Sequence, residues 1–506
     1  MGETEAQRRD SWGLALLGGA LAGLAPAPLL WLAVALLWSL QGRSSARRAS
    51  ACWGAVAVLV SHRWLLGLHP LDWIGVPLPL SLPLCGLLLL LCAALAGLLL
   101  ALWSALAVWL QPTRCSSALL LSCLWGLAEV GLARGPLFWI GLGSAALPGD
   151  PPLAALARLG GVGLVAALQL LIGWTLWRLM AAPLPGRRGR LQLGVLLLTA
   201  LLALHGLGWW QLIQAGAASA AAPSVARERV LVLQPAIPTR QKFQWAAQRR
   251  LERLLQQALA LAQAQRADLV LLPEGALGLE PQLDRPAAVE LLSGGFRWHD
   301  DSADAGGAGQ QRSALLRFPA GAVRPDRALD KHRLVPLGEW VPFAGLLRWS
   351  GLSAVGGLEA GAVSRLLERP AGPVAAAICY EISDGAALAA AVRAGAGWLI
   401  ASANLDPYPL LLQRQFTDLA RLRAIENGRW LVSAANTGPT LLINPAGAVL
   451  SALPPARAAT AVVEVPVLRG STPYVAVGEA PLLALLVLSC AWRLRGPLWR
   501  RLPQPI

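Results

Sequence analysis

The chain is dominated by apolar runs that are long enough to cross a lipid bilayer. Segments rich in Leu, Ala, Gly and Trp follow one another between residues 11 and 212, and a further apolar segment covers 475–492. A transmembrane helix needs about 20 apolar residues. Residues 226–468 instead mix charged residues, Gly/Pro turns and short apolar strands. The sequence therefore predicts a multi-pass α-helical membrane domain with one large extramembrane domain, and it excludes a wholly soluble protein.

Eight membrane spans fit this pattern. Residues 11–40 are too long for one ordinary helix and have basic residues on both flanks, so we predict a hairpin of two short helices broken near Pro26 and Pro28. The other spans are predicted at 51–67, 80–110, 116–134, 153–179, 191–212 and 475–492. The predicted domains are 1–212 (membrane, seven helices), 213–225 (linker), 226–468 (polar domain) and 469–506 (last helix and basic tail).

Arginine residues predict how these spans are oriented, because cytoplasmic loops are enriched in Lys and Arg. With the hairpin in place, the basic loops at Arg114 and Arg188 and the tail at Arg500 fall inside, and the polar domain falls outside. No cleavable signal peptide is evident, so the first span would be an uncleaved targeting segment. The formal net charge of +15 suits anionic lipid better than nucleic acid. The 22 tryptophans suit aromatic belts at the membrane interfaces.

The polar domain alternates predicted strands and helices. Residues 228–237 are a predicted strand, and 243–267 are an amphipathic helix with Leu251, Leu255 and Leu259 on one stripe. Apolar strands such as DLVLLPEG and GPVAAAICYE alternate with further helices. This order predicts an α/β sandwich in which side chains at strand ends carry the chemistry.

One cysteine, Cys379, lies in the polar domain, in the stretch GPVAAAICYEISDG, whereas the other six lie in strongly apolar segments. Outside the cytoplasm cysteines normally pair. A thiol without a partner in its own domain is either reactive or a small buried hydrophobic side chain. Other residues at strand ends of the polar domain distinguish between these two alternatives.

Two other residues at strand ends fit a reactive thiol. Glu274 follows a buried strand, where burial raises a carboxyl pKa toward that of a usable base; capping a helix is the alternative. Lys331 is one of only two lysines among 43 basic residues, and a compact ammonium fits beside an oxyanion where a guanidinium does not. The other lysine, Lys242 in TRQKFQW, is interpreted as incidental. Glu274, Lys331 and Cys379 then supply a base, an oxyanion stabiliser and a nucleophile.

Neither a metal nor a cofactor is predicted. The five histidines are scattered through the sequence without the spacing of metal ligands. No Gly-rich phosphate-binding loop opens a helix.

The segments PEGA, DKHRLVPLGEWVP and AICYE, with Glu, Lys and Cys in this order, resemble the carbon–nitrogen hydrolase (nitrilase) superfamily. An eight-span membrane part, with the polar domain inserted before the last span, is similar to the apolipoprotein N-acyltransferase family in particular. The resemblance implies a nitrilase-like α-β-β-α sandwich as the catalytic domain over 226–468. It also implies a place in a bacterial inner (plasma) membrane, with the catalytic domain on the periplasmic side.

The resemblance further implies a two-step acyl transfer. Cys379 would take an acyl chain from a membrane phospholipid as a thioester, with Glu274 as general base and Lys331 as oxyanion stabiliser. The α-amino group of the diacylglyceryl-cysteine of an apolipoprotein would then accept the chain. Two acidic residues, Glu339 and Glu381, match positions that line and orient the site. The candidate substrate-binding residues are aromatic: Phe243, Trp340, Phe343 and Tyr380.

Two features bear on the substrate rather than on the chemistry. Phe243 stands where the family usually has Trp, and ANLDPYP over 403–409 replaces an Asn-Asp-x-Trp-Phe pattern. The apolar, glycine-containing segment 340–358 predicts either a lid that dips into the membrane interface or a core segment.

Two other functions stay open. A membrane-bound nitrilase-type amidase would use water as the acceptor, although a tether needs one span rather than eight. A non-catalytic lipid or lipoprotein binder is expected to have lost Glu274, Lys331 or Cys379, and all three are present.

Overall fold

The computed structural model describes residues 5–24, 27–72, 76–136, 138–139, 141–181, 186–220, 226–242, 244–299, 310–336, 338–340 and 357–499. A helical domain comes first in the chain, a domain of two β-sheets follows, and a last helix packs back onto the helical domain. The helices of the first domain are α1 (Glu5–Leu24), α2 (Leu29–Leu40), α3 (Ala46–Ser61), α4 (Leu78–Trp109), α5 (Cys115–Ala133), α6 (Pro151–Ala155), α7 (Ala157–Ala181) and α8 (Gly186–Ala220).

The helical domain is a multi-pass membrane domain. Segments of the described chain that are long and apolar enough to cross a membrane are Ala46–Leu68, Leu78–Trp109, Cys115–Ala133, Ala157–Met180 and Gly189–Ala217. Shorter apolar helices cover Leu29–Leu40 and Ala480–Leu494. Helix α1 ends at Leu24 and α2 begins at Leu29, so the break in the predicted 11–40 hairpin lies where the prolines suggested.

Residues 213–220 of the predicted 213–225 linker are helical. Helix α8 continues without interruption through Ala220. The segment from 215 to 220 reads AGAASA, and alanine is the strongest helix former.

Several tryptophans are buried inside the helix bundle. The buried ones in the main cluster are Trp38, Trp53, Trp103, Trp125 and Trp174. The indole N–H of Trp38 donates to the carbonyl of Leu170 at 3.0 Å, and that of Trp53 donates to the carbonyl of Ala33 at 3.2 Å. Because no water reaches these groups, a carbonyl on a neighbouring helix satisfies each donor and links the two helices.

The second domain contains two six-stranded sheets. The first has the strand order β12-β1-β2-β3-β4-β5, with β1, β2 and β3 parallel; its strands are β1 (Arg227–Gln234), β2 (Leu269–Leu271), β3 (Glu290–His299), β4 (Gln310–Phe318), β5 (Arg327–Asp330) and β12 (Ala459–Pro466). The second has the order β11-β10-β9-β8-β7-β6, with β7, β8 and β9 parallel; its strands are β6 (Leu366–Leu367), β7 (Val374–Ile378), β8 (Leu399–Ala403), β9 (Leu431–Ala435), β10 (Leu441–Ile443) and β11 (Val449–Ala452).

Helices cover the outer face of each sheet. Helix α9 (Trp245–Ala264) buries Leu255 and Leu259 against the first sheet. Helices α10 (Gly385–Arg393) and α11 (Leu410–Asn427) cover the second sheet. The core between the sheets joins side chains such as Val232 and Ile400. The predicted α-β-β-α sandwich is confirmed. The chain then continues through α12 (Pro473–Val477) into α13 (Ala480–Trp499).

The sequence of residues 293–312 predicts a loop, but residues 293–299 and 310–312 belong to the antiparallel strands β3 and β4. Gly294 and Gly295 interrupt the alternation of apolar and polar side chains by which a strand such as β3 is recognised in a sequence. A Cβ on Gly294 would lie 2.4 Å from Cα of Glu274, so glycine is needed here for the close approach of two backbones.

The sandwich contacts the ends of the membrane helices directly. Arg333 donates to the carbonyl of Gly135 at 2.6 Å, and the Ser383 hydroxyl donates to the carbonyl of Ala133 at 3.1 Å. Both donors are close in sequence to predicted site residues. The end of α5 therefore supports the segments that carry Lys331 and Cys379.

Helices α5 and α7 pack through glycines, and this contact gives a stability prediction. A Cβ on Gly126 would lie 2.3 Å from the carbonyl oxygen of Gly163, whereas one on Gly131 of the same helix would meet nothing within 4 Å. Gly126→Val should therefore destabilise the bundle by about 1–3 kcal/mol through overpacking. Thermal unfolding in detergent measures the effect, and Gly131→Val controls for the cost of valine in a helix. Equal losses for both variants would contradict the packing explanation.

Candidate functional site

Three polar side chains that follow separate strands meet at one edge of the sandwich. Glu274 comes shortly after β2, Lys331 directly after β5, and Cys379 directly after β7. Lys331 Nζ donates to Oε1 of Glu274 at 2.7 Å, and Glu274 is close enough to the Cys379 thiol for its negative charge to raise the pKa of that thiol. The structure thus brings the predicted base, cation and nucleophile into one cluster.

Lys331 is the most enclosed member of the cluster. Its side chain is 0% exposed, and Nζ donates to Oε1 of Glu274 and to Oε1 of Glu339, both at 2.7 Å. Burial by itself lowers the pKa of Lys331, but the two carboxylates outweigh burial and hold the pKa well above its ordinary value. The amine is therefore a permanent cation. Because an ammonium has three N–H donors, one of them is left for another oxygen.

Both oxygens of Glu274 are fixed. Oε1 accepts from Lys331, and Oε2 accepts from the backbone N–H of Asn404 at 3.0 Å. Asn404 follows the end of β8, so the second sheet orients a carboxylate that the first sheet supplies. The carboxylate is held in one orientation beside the thiol.

Cys379 has a backbone conformation that is rare outside glycine. Its φ is +56°, at the point where β7 turns into a short 3-10 helix over Cys379–Ser383. A conformation of this kind costs about 1–3 kcal/mol and clusters at functional sites. Burial and the negative charge of Glu274 raise the pKa of the Cys379 thiol well above its ordinary value, although Lys331 lowers it. At neutral pH the thiol is therefore protonated and needs a base to become a nucleophile.

The two predicted supporting carboxylates have different contacts. Glu339 binds Lys331, and its Oε2 accepts from the N–H of Val335 at 2.9 Å; burial raises its pKa, and the neighbouring Glu274 adds to this. Glu381 binds Arg365 through both oxygens, each at 2.9 Å.

Glu381 also joins two strand ends. It accepts from the N–H of His332 at 2.7 Å and from the N–H of Ile378 at 2.9 Å. These residues are direct neighbours of Lys331 and Cys379. Glu381 therefore fixes the position of Lys331 relative to Cys379.

Tyr380 and Trp340 are the predicted substrate-binding residues in the described part of the chain. Tyr380 lines a cavity beside Cys379, and its hydroxyl donates to the carbonyl of Leu334 at 2.5 Å. The Trp340 side chain is 45% exposed and borders a different, open pocket, which Tyr380 also lines. Phe243 and Phe343, with most of the predicted 340–358 lid, lie outside the described residues.

The second lysine is also close to Glu274. Lys242 follows the short 3-10 helix Thr239–Gln241, and a Cβ on Gly275, the residue after Glu274, would lie 2.7 Å from Lys242 Nζ. Burial lowers the pKa of Lys242, whereas the charge of Glu274 raises it. Lys242 is therefore close to the same carboxylate that Lys331 binds.

An apolar cavity of about 160 Å³ lies beside Cys379. The membrane domain contributes His62 at the end of α3 and Leu88 of α4, and the sandwich contributes Tyr408 and Phe416. The thiol therefore faces a space that both domains line. Such a lining suits a hydrocarbon chain.

Groups of three or more His, Cys, Asp or Glu side chains that could hold a metal ion are absent from the described ranges. The reactive or charged side chains at the site are the Cys379 thiol, the carboxylates of Glu274 and Glu339, and the two lysines. A buried thiol beside a base and a cation can attack an acyl carbon and form a thioester.

Sequence patterns do not single out three residues of the site. Asn404 orients Glu274, Arg365 pairs with Glu381, and Tyr408 lines the cavity. Asn404 follows the end of β8, so the expectation that side chains at strand ends carry the chemistry identifies it once β8 is considered. Arg365 is one arginine among many and carries no signal in the sequence, whereas Tyr408 lies in the 403–409 segment already noted as a departure from the family pattern.

Comparison with known proteins extends these observations. The family model described as "Carbon-nitrogen hydrolase" matches residues 326–474, which include Lys331 and Cys379. The apolipoprotein N-acyltransferase of Prochlorococcus marinus (strain MIT 9313) is 49% identical over 488 residues, 94% of this chain and 94% of that protein. That of Parasynechococcus marenigrum (strain WH8102) is 49% identical over 470 residues, covering 89% and 93%. That of Azotobacter vinelandii (strain DJ / ATCC BAA-1303) is 32% identical over 529 residues, covering 95% and 94%. The similarity therefore spans both domains.

The raised pKa of Cys379 predicts its reactivity. Alkylation by iodoacetamide should accelerate about tenfold per pH unit and still be rising at pH 9, because only the thiolate reacts. Glu274→Gln removes the negative charge that raises the pKa, so it should accelerate alkylation at each pH. The control Glu368→Gln, at an exposed position, should change nothing. Mass spectrometry of the Cys379 peptide follows the reaction. A rate that levels off below about pH 7 would instead indicate a preformed thiolate–ammonium pair with Lys331.

Proposed function

Because the chain belongs to the apolipoprotein N-acyltransferase family, we propose that it transfers an acyl chain from a membrane phospholipid to the α-amino group of the diacylglyceryl-cysteine of apolipoproteins. The reaction would pass through a thioester on Cys379. The observation that carries this proposal is the cluster of Glu274, Lys331 and Cys379 beside an apolar cavity that both domains line.

In the first step Glu274 accepts the thiol proton as the Cys379 sulfur attacks the ester carbonyl carbon of the phospholipid. The carbonyl oxygen becomes an oxyanion, and the third N–H of Lys331 donates to it. The ester C–O bond then breaks, and Glu274 returns the proton to the leaving alkoxide. The products are a lysophospholipid and an acyl-thioester. A donor of this kind typically contributes about a hundredfold or more in rate.

In the second step the amine nitrogen of the apolipoprotein attacks the thioester carbonyl carbon. Glu274 accepts a proton from the amine, and Lys331 stabilises the second oxyanion. The C–S bond breaks, the thiolate regains its proton, and an amide remains. The lysophospholipid leaves before the apolipoprotein reacts, so the kinetics would be ping-pong.

The cavity supports a lipid donor. A phospholipid ester that reaches the thiol brings a long hydrocarbon chain with it, and α4 contributes Leu88 and Cys92 to the lining. The outer face of α4 is apolar, with Leu87 63% exposed and Leu91 54% exposed. Helix α4 therefore has an apolar outer face that suits lipid and also lines the cavity. An acyl chain that lies against this helix is close to Cys379.

The alternative acceptor is water, as in a membrane-bound amidase. The same base and oxyanion donor would serve water equally well. The apolar lining of the cavity disfavours water as a ready acceptor. Discharge of the thioester with and without an amine separates the two functions.

The acyl intermediate is directly testable. Incubation with phospholipid vesicles should add the mass of one acyl chain to the Cys379 peptide, and a diacylglyceryl-cysteine lipopeptide should remove it and yield an amide. Cys379→Ser should fold, because one atom changes, and should give neither product, since a hydroxyl is far harder to ionise beside the same base. Cys123→Ser, buried in the membrane bundle, is the matched control. Substantial N-acylation by Cys379→Ser would refute the mechanism, and equal discharge without an amine would favour the amidase.

We also propose that the sandwich lies on the extracytoplasmic side of the bacterial inner membrane, as the arginine distribution indicates. A membrane-impermeant maleimide added to intact spheroplasts should label Arg324→Cys, on the exposed surface of the sandwich, and should not label Arg47→Cys, at the start of α3. Permeabilised cells should label both, which controls for reactivity. The opposite pattern in intact cells would place the sandwich in the cytoplasm.

A further inference from the structure

Two cavities between the membrane helices and the sandwich share one wall. The cavity beside Cys379 measures about 160 Å³, and a second cavity measures about 520 Å³. His62, at the end of α3, lines both of them. Phe138 lines the first cavity, and the adjacent Trp139 lines the second. A single layer of side chains therefore separates the two spaces.

Helix α11 forms another part of this wall. Leu412 and Phe416, four positions apart, line the cavity beside Cys379. Leu411 and Gln415, also four positions apart, line the second cavity. Because residues four apart lie on the same face of a helix, two neighbouring faces of α11 line the two cavities.

The second cavity has an apolar floor inside the membrane domain. Helices α1, α3, α4 and α5 contribute to it, with residues such as Ala57 and Trp125. Glu129 also lines this floor, and its carboxylate accepts from the indole N–H of Trp125 at 2.8 Å. The same carboxylate accepts from the backbone N–H groups of Leu142 at 2.6 Å and Gly143 at 3.0 Å. Both of its oxygens are therefore satisfied, and the rest of the floor suits hydrocarbon.

The part of the second cavity that α11 lines carries a cation without a partner. Arg414 is exposed there, and within the described part of the chain it forms neither an ion pair nor a hydrogen bond. Asp418, on the same part of the lining, is instead bound by Arg421 at 3.2 Å. An unpaired guanidinium favours an anion, and a phosphate group matches its fork of N–H donors.

The cavity beside Cys379 is too small for two hydrocarbon chains. An apolar cavity of roughly 150 Å³ holds one benzene-sized group. A cavity of about 160 Å³ therefore takes only the carbons of one chain that are nearest the reacting carbonyl. A diacyl phospholipid brings a second chain on the adjacent carbon of its glycerol. That chain needs an apolar site close to the first, and the second cavity lies across a single wall.

We propose that the second cavity binds the hydrocarbon chain that the donor phospholipid keeps, with the phosphate of its headgroup on Arg414. The assignment rests on the proposed function, which supplies the donor. The diacylglyceryl-cysteine of the acceptor also has two chains, but it has no phosphate beside them, so the unpaired cation favours the donor. Lipid that fills the space without taking part in the reaction is the competing explanation.

Donors that differ in chain number test the second cavity. Dipalmitoyl-phosphatidylglycerol and single-chain palmitoyl-lysophosphatidylglycerol have the same kind of ester and phosphate, and neither has an amine that could accept the acyl chain. Ala57→Phe fills the cavity from α3. It should raise the half-saturating mole fraction of the two-chain donor, relative to that of the single-chain donor, about tenfold, the effect of leaving about two methylene groups unburied. Mass spectrometry of the Cys379 peptide in detergent micelles measures thioester formation.

Two further variants make this comparison decisive. Ala94→Phe, on the exposed face of α4, is the matched control and should leave the ratio between the donors unchanged. Thr417→Phe fills the same cavity from α11 if thermal unfolding shows that Ala57→Phe does not fold. An unchanged ratio in a folded cavity-filling variant would overturn the inference. Slower amide formation from a preformed thioester, with that ratio unchanged, would overturn it in favour of the acceptor chains.

Donors with and without phosphate test Arg414. Arg414→Gln should raise the half-saturating mole fraction of both phosphate-bearing donors about fivefold relative to that of dipalmitoylglycerol, as expected for an exposed charge contact. Arg469→Gln removes an exposed cation shortly before the last membrane helix and controls for general attraction to lipid. An equal effect of both variants would overturn the assignment of the phosphate to Arg414.

Lipid retention separates this inference from the proposed function. Native mass spectrometry of Cys379→Ser measures bound dipalmitoyl-phosphatidylglycerol without any reaction. In this background Ala57→Phe should weaken retention of the lipid about tenfold, and Ala94→Phe should not. This pattern, together with no thioester formation by the wild-type protein, would refute the proposed function alone. Equal retention by both variants would overturn the inference.

Discussion

The Lys331 ammonium, buried between the carboxylates of Glu274 and Glu339, is the interaction on which the rest of the site depends. It joins the end of β2 to the end of β5 and to the turn that carries Glu339. Loss of one partner from a buried ion pair leaves an uncompensated charge and costs about 3–5 kcal/mol. The same triad sets the electrostatics of Cys379: burial and Glu274 raise the thiol pKa, and Lys331 opposes them. The thiol is therefore protonated at neutral pH.

The sandwich contacts the membrane bundle at the edge where Glu274, Lys331 and Cys379 lie. Arg333 and Ser383 bind carbonyls at the end of α5, and Glu381 ties the strand ends that carry Lys331 and Cys379. The cavity beside the thiol is lined by residues of both domains. The position of Cys379 relative to the membrane helices therefore follows from hydrogen bonds to the backbone at the end of α5.

Much of this organisation is predictable from the sequence, and the exceptions have physical causes. The apolar runs and the prolines near residue 28 place the helices, and period-3.6 patterning places α9. Strand β3 is missed because Gly294 and Gly295 interrupt its pattern, and they are glycines because the Glu274 backbone approaches them. Composition does not reveal that Trp38 and Trp53 are buried in the bundle, where their N–H groups bond to carbonyls of neighbouring helices.

By itself, the sequence determined that the chain crosses a membrane, that its polar domain is a sandwich, and that Glu274, Lys331 and Cys379 stand at strand ends. These properties depend on local composition and periodicity, which a sequence displays directly. Only the tertiary structure decided that Lys242 lies beside Glu274, that Asn404 orients this carboxylate, and that Glu381 binds Arg365. Those contacts join segments that are distant along the chain, and their strength comes from burial. Burial exists only once the two sheets and the membrane helices have packed together.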